Sequence, residues 1–157
     1  MAVGDTSYDY IQSKIKSYKD TYPSLRSKPD EFVFSALAVK SNYYKNPAIE
    51  FTENEFESII VDGQYDGGVD VLLTDPNSET SDLVIGQSKF YKNISAEDVT
   101  NALTKMALFY KDMIQGHYEQ VNQKVQGRFL SLNSEVGEES KIFFVLYTSV
   151  VARSGLI

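Results

Sequence analysis

Three side chains near the middle of the chain have the types and spacing needed to bind a metal ion and act on a phosphodiester. Gln87 and Lys89 are two residues apart in a run typical of a β-strand, so both project from the same face. Asp70 opens the preceding predicted strand after the pair Gly67-Gly68. If these strands are antiparallel neighbours, a carboxylate, an amide oxygen and an ammonium group converge at one place.

This combination is suited to metal-assisted phosphodiester hydrolysis. Mg²⁺ takes oxygen ligands and keeps several waters, and Mn²⁺ is the alternative ion. We expect the Asp70 carboxylate to anchor the ion, with the Gln87 side-chain oxygen and the Ser88 backbone carbonyl as further ligands. A bound metal lowers the pKa of water and offsets charge on the phosphate. Lys89 is expected to position the attacking water or to stabilise the same developing charge.

Simpler interpretations of these residues stay open. A carboxylate after two glycines is also typical of a turn, Lys89 is also typical of a solvated strand face, and a strand glutamine such as Gln87 is ordinary by itself. A calcium loop beginning at Asp62 is excluded, because its twelfth position needs a bidentate acid and holds Leu73. Asp62 and Asp66 are therefore interpreted as turn residues.

The elements that must position these residues alternate between helices and strands. The predicted helices cover residues 8–19, 29–40, 53–58, 95–116 and 117–132. The predicted strands cover residues 59–61, 69–74, 83–91 and 142–151. Pro29 is expected to be a first helical residue. Thr52 and Glu55 fit a capping box, and Ser95 with Asp98 marks another helix start.

This order predicts an α/β fold with a mixed sheet flanked by helices. The first three strands form an antiparallel meander, and two helices then cross to the last strand. Residues 142–151 are almost continuously apolar, which is typical of a strand buried on both faces. Because the chain stops just after that strand, we expect residues 1–157 to form one domain that is an N-terminal fragment of a longer protein.

Composition narrows the class of protein. The 157 residues carry a net charge of −7, and residues 61–100 hold eight acidic against two basic residues. This balance disfavours tight nucleic-acid binding, whereas a concentrated acidic segment is compatible with a cation site. The absence of cysteine excludes disulfides, cysteine-ligated zinc and cysteine catalysis. With no secretory signal and no membrane-length apolar stretch, a cytoplasmic protein that does not enter a membrane is expected.

Two segments resemble the core of the PD-(D/E)xK nuclease superfamily. They are Gly67-Gly68-Val69-Asp70 and Val84-Ile85-Gly86-Gln87-Ser88-Lys89. Glutamine in place of the second acidic residue is typical of the Mrr-like restriction endonucleases. The local sequence around these segments is most similar to the N-terminal domain of AIPR-type abortive phage infection proteins. The resemblance implies a restriction-endonuclease-like αβββαβ core over about residues 29–151, with an extra N-terminal helix.

The same resemblance implies Mg²⁺-dependent cleavage of DNA in restriction or phage defence. Asp70, Gln87 and Lys89 match the active-site residues of the superfamily. A glutamate on the first core helix often assists, and Glu31 is the candidate here; its alternative role is a charge that complements the helix dipole. Since Gln87 is neutral, the site has one fewer anionic ligand and is expected to hold Mg²⁺ more weakly.

Other functions fit the sequence as well. One is a binding or assembly module that keeps the nuclease fold without useful activity, and another is a domain that cleaves RNA. The expected partners are the phosphate backbone of DNA and a C-terminal region of the same protein. The sequence leaves open whether the chain acts as a homodimer.

Overall fold

The computed structural model describes residues 3–61, 63 and 67–149, with only the backbone described for residues 3–6. Five α-helices, a short 3₁₀ helix and three strands lie in this part of the chain. The helices are α1 (Val3–Thr21), the 3₁₀ turn (Pro23–Leu25), α2 (Asp30–Tyr43), α3 (Glu55–Ile59), α4 (Ala96–Ile114) and α5 (Gln123–Asn133). The strands are β1 (Val71–Thr74), β2 (Leu83–Lys89) and β3 (Ile142–Thr148).

The three strands form one mixed sheet in the order β1-β2-β3. β1 and β2 are antiparallel, with Val71 opposite Gly86. β2 and β3 are parallel, with Lys89 opposite Thr148, and α4 and α5 connect them. The prediction of an α/β fold with a mixed sheet flanked by helices is therefore confirmed.

Two groups of buried side chains fill the space between the sheet and its helices. Val84 contributes to the group that contains residues of α1 and α2, whereas Ile85 contributes to the group that contains residues of α4 and α5. Successive strand residues point to opposite faces, so β2 is covered on both sides. Its first four residues are buried and its last three, residues 87–89, are half-buried.

Two strand predictions are wrong in detail. The strand expected over residues 59–61 is reduced to an isolated bridge between Ile60 and Val71. β3 is not buried on both faces, because most of its residues are half-buried and Phe143 is 43% exposed. Among the described residues β3 is also an edge strand that pairs only with β2. The buried central strand is β2. Val150 and Val151, which the prediction included in the last strand, lie outside the described residues, as do Asp62 and Asp66.

The predicted helix starts have different outcomes. Ser95 caps α4 and forms a reciprocal capping box with Asp98, as expected. Thr52 and Glu55 form no such box, and α3 begins without a side-chain cap. Glu55 instead lies against Tyr44, where burial first and then the Glu55 carboxylate raise the pKa of Tyr44 to about 12.

Two helix boundaries also differ from the prediction. Pro29 precedes α2 as its N-cap with an extended backbone. α5 begins at Gln123 and not at residue 117, because the Asn122 side chain accepts a hydrogen bond from the Val125 N–H at 2.9 Å and caps the helix there. No helix in the described ranges combines the length and apolar character needed to cross a membrane.

The glycine pair before Asp70 allows α4 to pack against the approach to β1. Gly67 and Gly68 have φ values of 74° and 79°, a region that residues with a Cβ rarely adopt. A Cβ on Gly67 would lie 2.8 Å from the Phe109 ring, and one on Gly68 would lie 3.3 Å from the Lys105 side chain. Both backbone conformation and space therefore require glycine at residue 67.

Comparison of Gly67→Ala with Gly116→Ala separates the effect of the positive φ from the effect of the missing space for a Cβ. Gly116 has the same φ of 79° as Gly68 but no neighbour within 4 Å of an added Cβ. We expect Gly116→Ala to lower the free energy of unfolding by about 1 kcal/mol, from backbone strain alone. Gly67→Ala should lower it by about 3 kcal/mol, because the buried Phe109 must also move. Urea denaturation measures both values, and equal losses would contradict the packing role of residue 67.

Candidate functional site

The backbone of Asp70 is fixed between two neighbouring segments. Its N–H donates to the Gly86 carbonyl at 2.8 Å, and its carbonyl accepts from the Val61 N–H at 2.8 Å. The ladder also places Val71 opposite Gly86, so two residues of one segment face one residue of β2. This is the arrangement of a β-bulge, which locally re-aims side chains.

The side chain of Asp70 reaches across to the end of β2. Its Oδ2 atom accepts a hydrogen bond from the Ser88 N–H at 2.8 Å. Ser88 lies between Gln87 and Lys89, so the carboxylate meets β2 at the point that the sequence predicts for the site. Both Asp70 and Gln87 are half-buried.

The two faces of β2 have different roles at this end. Gln87 and Lys89 follow Ile85 at intervals of two, which directs them to the α4 face of the sheet. The Ser88 side chain points to the α2 face, where its Oγ accepts a hydrogen bond from Ser35 Oγ at 2.8 Å. The Ser35–Ser88 contact anchors this end of β2 to α2.

An acceptor oxygen without a partner lies in the predicted site. Gln87 Oε1 is buried and has no hydrogen-bond partner among the described residues. Such an atom destabilises a folded protein by about 1–3 kcal/mol, so a partner at this position would stabilise the fold. A cation beside the oxygen would supply that partner.

The donor set fits a hard divalent cation. The Asp70 carboxylate, the Gln87 amide oxygen and the Ser88 carbonyl are oxygen ligands of the kind that Mg²⁺ and Mn²⁺ accept. Within the part of the chain that the structure describes, no group of three or more His, Cys, Asp or Glu side chains is placed to hold a metal ion. A cation at this place would therefore depend on the amide and backbone oxygens as well as on one carboxylate.

Lys89 brings a positive charge to the same end of β2. Its Nζ atom lies 5.4 Å from the centre of the Tyr91 ring. Hydrogen bonding from Ser95 lowers the pKa of Asp98, and the charge of Lys89 acts in the same direction. The side chain of Lys89, the last residue of β2, thus extends toward the beginning of α4.

Glu31 lies apart from this group. It is exposed in the first turn of α2, and its backbone carbonyl accepts a hydrogen bond from Ser35 Oγ at 3.3 Å. Glu31 precedes Ser35 by one turn of α2, and Ser35 contacts Ser88. Glu31 is therefore on the side of the sheet opposite the Gln87 side chain. Its carboxylate has no hydrogen bond or ion pair with another described residue, and its assisting role stays a prediction.

Two residues near the site were not found from the sequence. Ser35 is a buried polar residue inside the otherwise apolar run of residues 32–39. This single polar position is the one feature of the sequence that could have indicated a buried hydrogen bond there. Lys105 packs its aliphatic stem over Gly68, which precedes Asp70 by two residues. No local pattern marks Lys105, because its contact is made between distant parts of the chain.

Comparison of the chain with models of protein families, with curated proteins and with solved structures finds no match.

Substitution of Gln87 by methionine tests whether its oxygen is unsatisfied without metal. The change keeps the side-chain length and removes the acceptor, so we expect the free energy of unfolding in chelating buffer to rise by about 1 kcal/mol. Urea denaturation measures this change. The exposed Gln123 on α5 provides the matched control, since Gln123→Met should alter stability by less than about 0.5 kcal/mol. A clear loss of stability in Gln87→Met would mean that the oxygen has a partner.

Proposed function

We propose that this chain is a Mg²⁺-dependent DNA endonuclease domain, with Mn²⁺ as an alternative ion. The observation that carries the proposal is the buried oxygen of Gln87, which has no hydrogen-bond partner among the described residues, while the Asp70 carboxylate is hydrogen-bonded to the next residue of β2, Ser88. A cation held by both residues would give the Gln87 oxygen a partner. Lys89 on the same face adds the positive charge that phosphate chemistry needs.

The order of elements supports the restriction-endonuclease-like part of the proposal. α2, β1, β2, α4 and β3 follow one another as in an αβββαβ core, with the Ile60 bridge in place of the first strand and α1 and α5 added. The proposed core covers about residues 29–151. Such a domain would act in restriction or phage defence.

In this proposal Asp70 and Gln87 would hold the ion, together with the Ser88 carbonyl. When bound, the ion would lower the pKa of a coordinated water and offset negative charge on the phosphate. The bulge and the Ser88 N–H fix the Asp70 carboxylate in advance, so little reorganisation is needed when substrate binds. Lys89 orients the attacking water or stabilises the charge that develops on the scissile phosphate. Glu31 is assigned an assisting role.

A binding or assembly module is the second candidate. It is favoured by the neutral Gln87, which leaves one carboxylate among the three proposed ligands, and by the net charge of −7. Cleavage assays with DNA and RNA substrates separate this candidate from a DNA nuclease and from an RNA nuclease.

Plasmid cleavage in Mg²⁺ or Mn²⁺ tests the proposed activity. We expect Asp70→Asn and Lys89→Ala each to reduce the rate at least about 100-fold, since each removes a charge that acts on the reacting phosphate. Asp70→Asn is preferred to alanine because an amide oxygen can still accept the Ser88 N–H.

The controls are two exposed residues at the far end of α4. Asp112→Asn and Lys111→Ala make the same changes of charge away from the site and should leave the rate unchanged. Unchanged cleavage in Asp70→Asn or Lys89→Ala, with folding intact, would rule out the proposed site.

Substitution of Gln87 by glutamate tests the metal ligand without a DNA substrate. A second carboxylate beside Asp70 should tighten Mg²⁺ binding at least about tenfold, because it adds an anionic oxygen at short range. Isothermal titration calorimetry with MgCl₂ measures the affinity, and Gln123→Glu is the control for the change in net charge. The same Mg²⁺ affinity in Gln87→Glu and in the parent would show that residue 87 is not a ligand.

A further inference from the structure

An exposed tyrosine lies directly beyond the proposed catalytic residues. Tyr91 follows the end of β2 by two positions and is 47% exposed. The Lys89 ammonium group is 5.4 Å from the centre of its ring. The ring therefore continues the row formed by Gln87 and Lys89, at intervals of about 7 Å along an extended chain.

The backbone of Tyr91 is held in place by a buried serine. The Tyr91 N–H donates to Ser149 Oγ at 2.9 Å, and Ser149 Oγ donates to the Tyr91 carbonyl at 2.6 Å. Ser149 is itself 2% exposed and donates its N–H to the Lys89 carbonyl at 3.3 Å. An isolated exposed tyrosine is ordinary. This one is presented to solvent on a backbone that is fixed on both sides of the residue.

A second lysine follows the ring. The Lys92 ammonium group lies 5.7 Å from the centre of the Tyr8 ring on α1. Tyr8 stacks on Phe90 with ring centres 4.7 Å apart and planes within 11°. Residues 89–92 thus place one exposed ring beside the Lys89 ammonium group, whereas the Lys92 ammonium group lies on the α1 side, and we refer to these residues as the cation–aromatic segment.

The chemistry of this segment fits a single strand of nucleic acid. An aromatic ring stacks on the face of an unpaired base, and flanking ammonium groups contact phosphates. In a duplex the faces of the bases are covered by their neighbours, so such a ring favours unpaired nucleotides. Stacking also compensates for a weakness of this chain, whose net charge of −7 limits what phosphate contacts alone can contribute.

We propose that the cation–aromatic segment binds an unpaired DNA strand, with a base stacked on Tyr91 and an adjoining phosphate at Lys89. The choice of DNA rests on the proposed function, and the segment would deliver single-stranded or frayed DNA to Asp70 and Gln87. Tyr91 is then a residue that determines the form of the substrate.

The test is DNA binding by the parent chain in chelating buffer, where no metal-dependent cleavage occurs. Fluorescence anisotropy compares a short single-stranded oligonucleotide with a duplex of the same sequence. Tyr91→Ala and Tyr91→Leu remove the ring, and Tyr91→Phe keeps it. The control is Tyr10→Ala, since Tyr10 is 61% exposed with Lys14 Nζ 5.6 Å from its ring but lies roughly 200° around α1 from Tyr8.

We expect both ringless variants to bind the single strand about tenfold more weakly, with duplex binding unchanged. Tyr91→Phe and Tyr10→Ala should bind like the parent. The proposal is overturned if a folded ringless variant keeps the parent affinity, or if single-strand and duplex affinities fall equally. Tyr91-dependent binding without cleavage of either plasmid or single-stranded DNA in Mg²⁺ or Mn²⁺ would support this proposal and contradict the nuclease. Cleavage with Tyr91-independent binding would do the reverse.

Discussion

The hydrogen bond from the Ser88 N–H to the Asp70 carboxylate connects the residue before β1 to the end of β2. Asp70 lies in a bulge opposite Gly86, and Gly67 and Gly68 let α4 pack close to the segment that leads into β1. Here a side-chain carboxylate, and not a backbone carbonyl of a neighbouring strand, accepts the Ser88 N–H. Such a bond is stable only when the backbone that carries the carboxylate is fixed. Here Val61 and Gly86 both bond to the Asp70 backbone and fix it.

β2 changes character along its length, and the candidate site depends on that change. Its first four residues are buried between two apolar groups, which makes the strand a rigid support. Its last three residues are half-buried, so polar atoms there are partly removed from water. The buried oxygen of Gln87 has no partner among the described residues and is a cost to stability, as is Thr74 Oγ1 at the far end of β1. What distinguishes Gln87 is its position at the end of β2 that also holds the Asp70–Ser88 hydrogen bond.

Local patterns in the sequence predict local structure well, and they fail where distant contacts decide. Ser95 and Asp98 form their capping box because both partners are three residues apart. Thr52 and Glu55 have the same spacing, but Glu55 lies against Tyr44. An apolar run such as that of β3 indicates a strand but does not indicate which strands pair with it. The sequence therefore did not predict that β3 pairs only with β2 among the described strands.

The candidate site shows the same division. Period-two alternation correctly places Gln87 and Lys89 on one face, whereas the bulge at Asp70 and the Ser35 contact depend on pairing that no local pattern encodes. The proposed site requires Asp70 and Gln87 to bind one divalent cation together. Anomalous diffraction from crystals grown with Mn²⁺ locates such an ion. We expect a peak within about 2.2 Å of both the Asp70 carboxylate and Gln87 Oε1. Ions bound only at other carboxylates, with this position occupied by water, would contradict it.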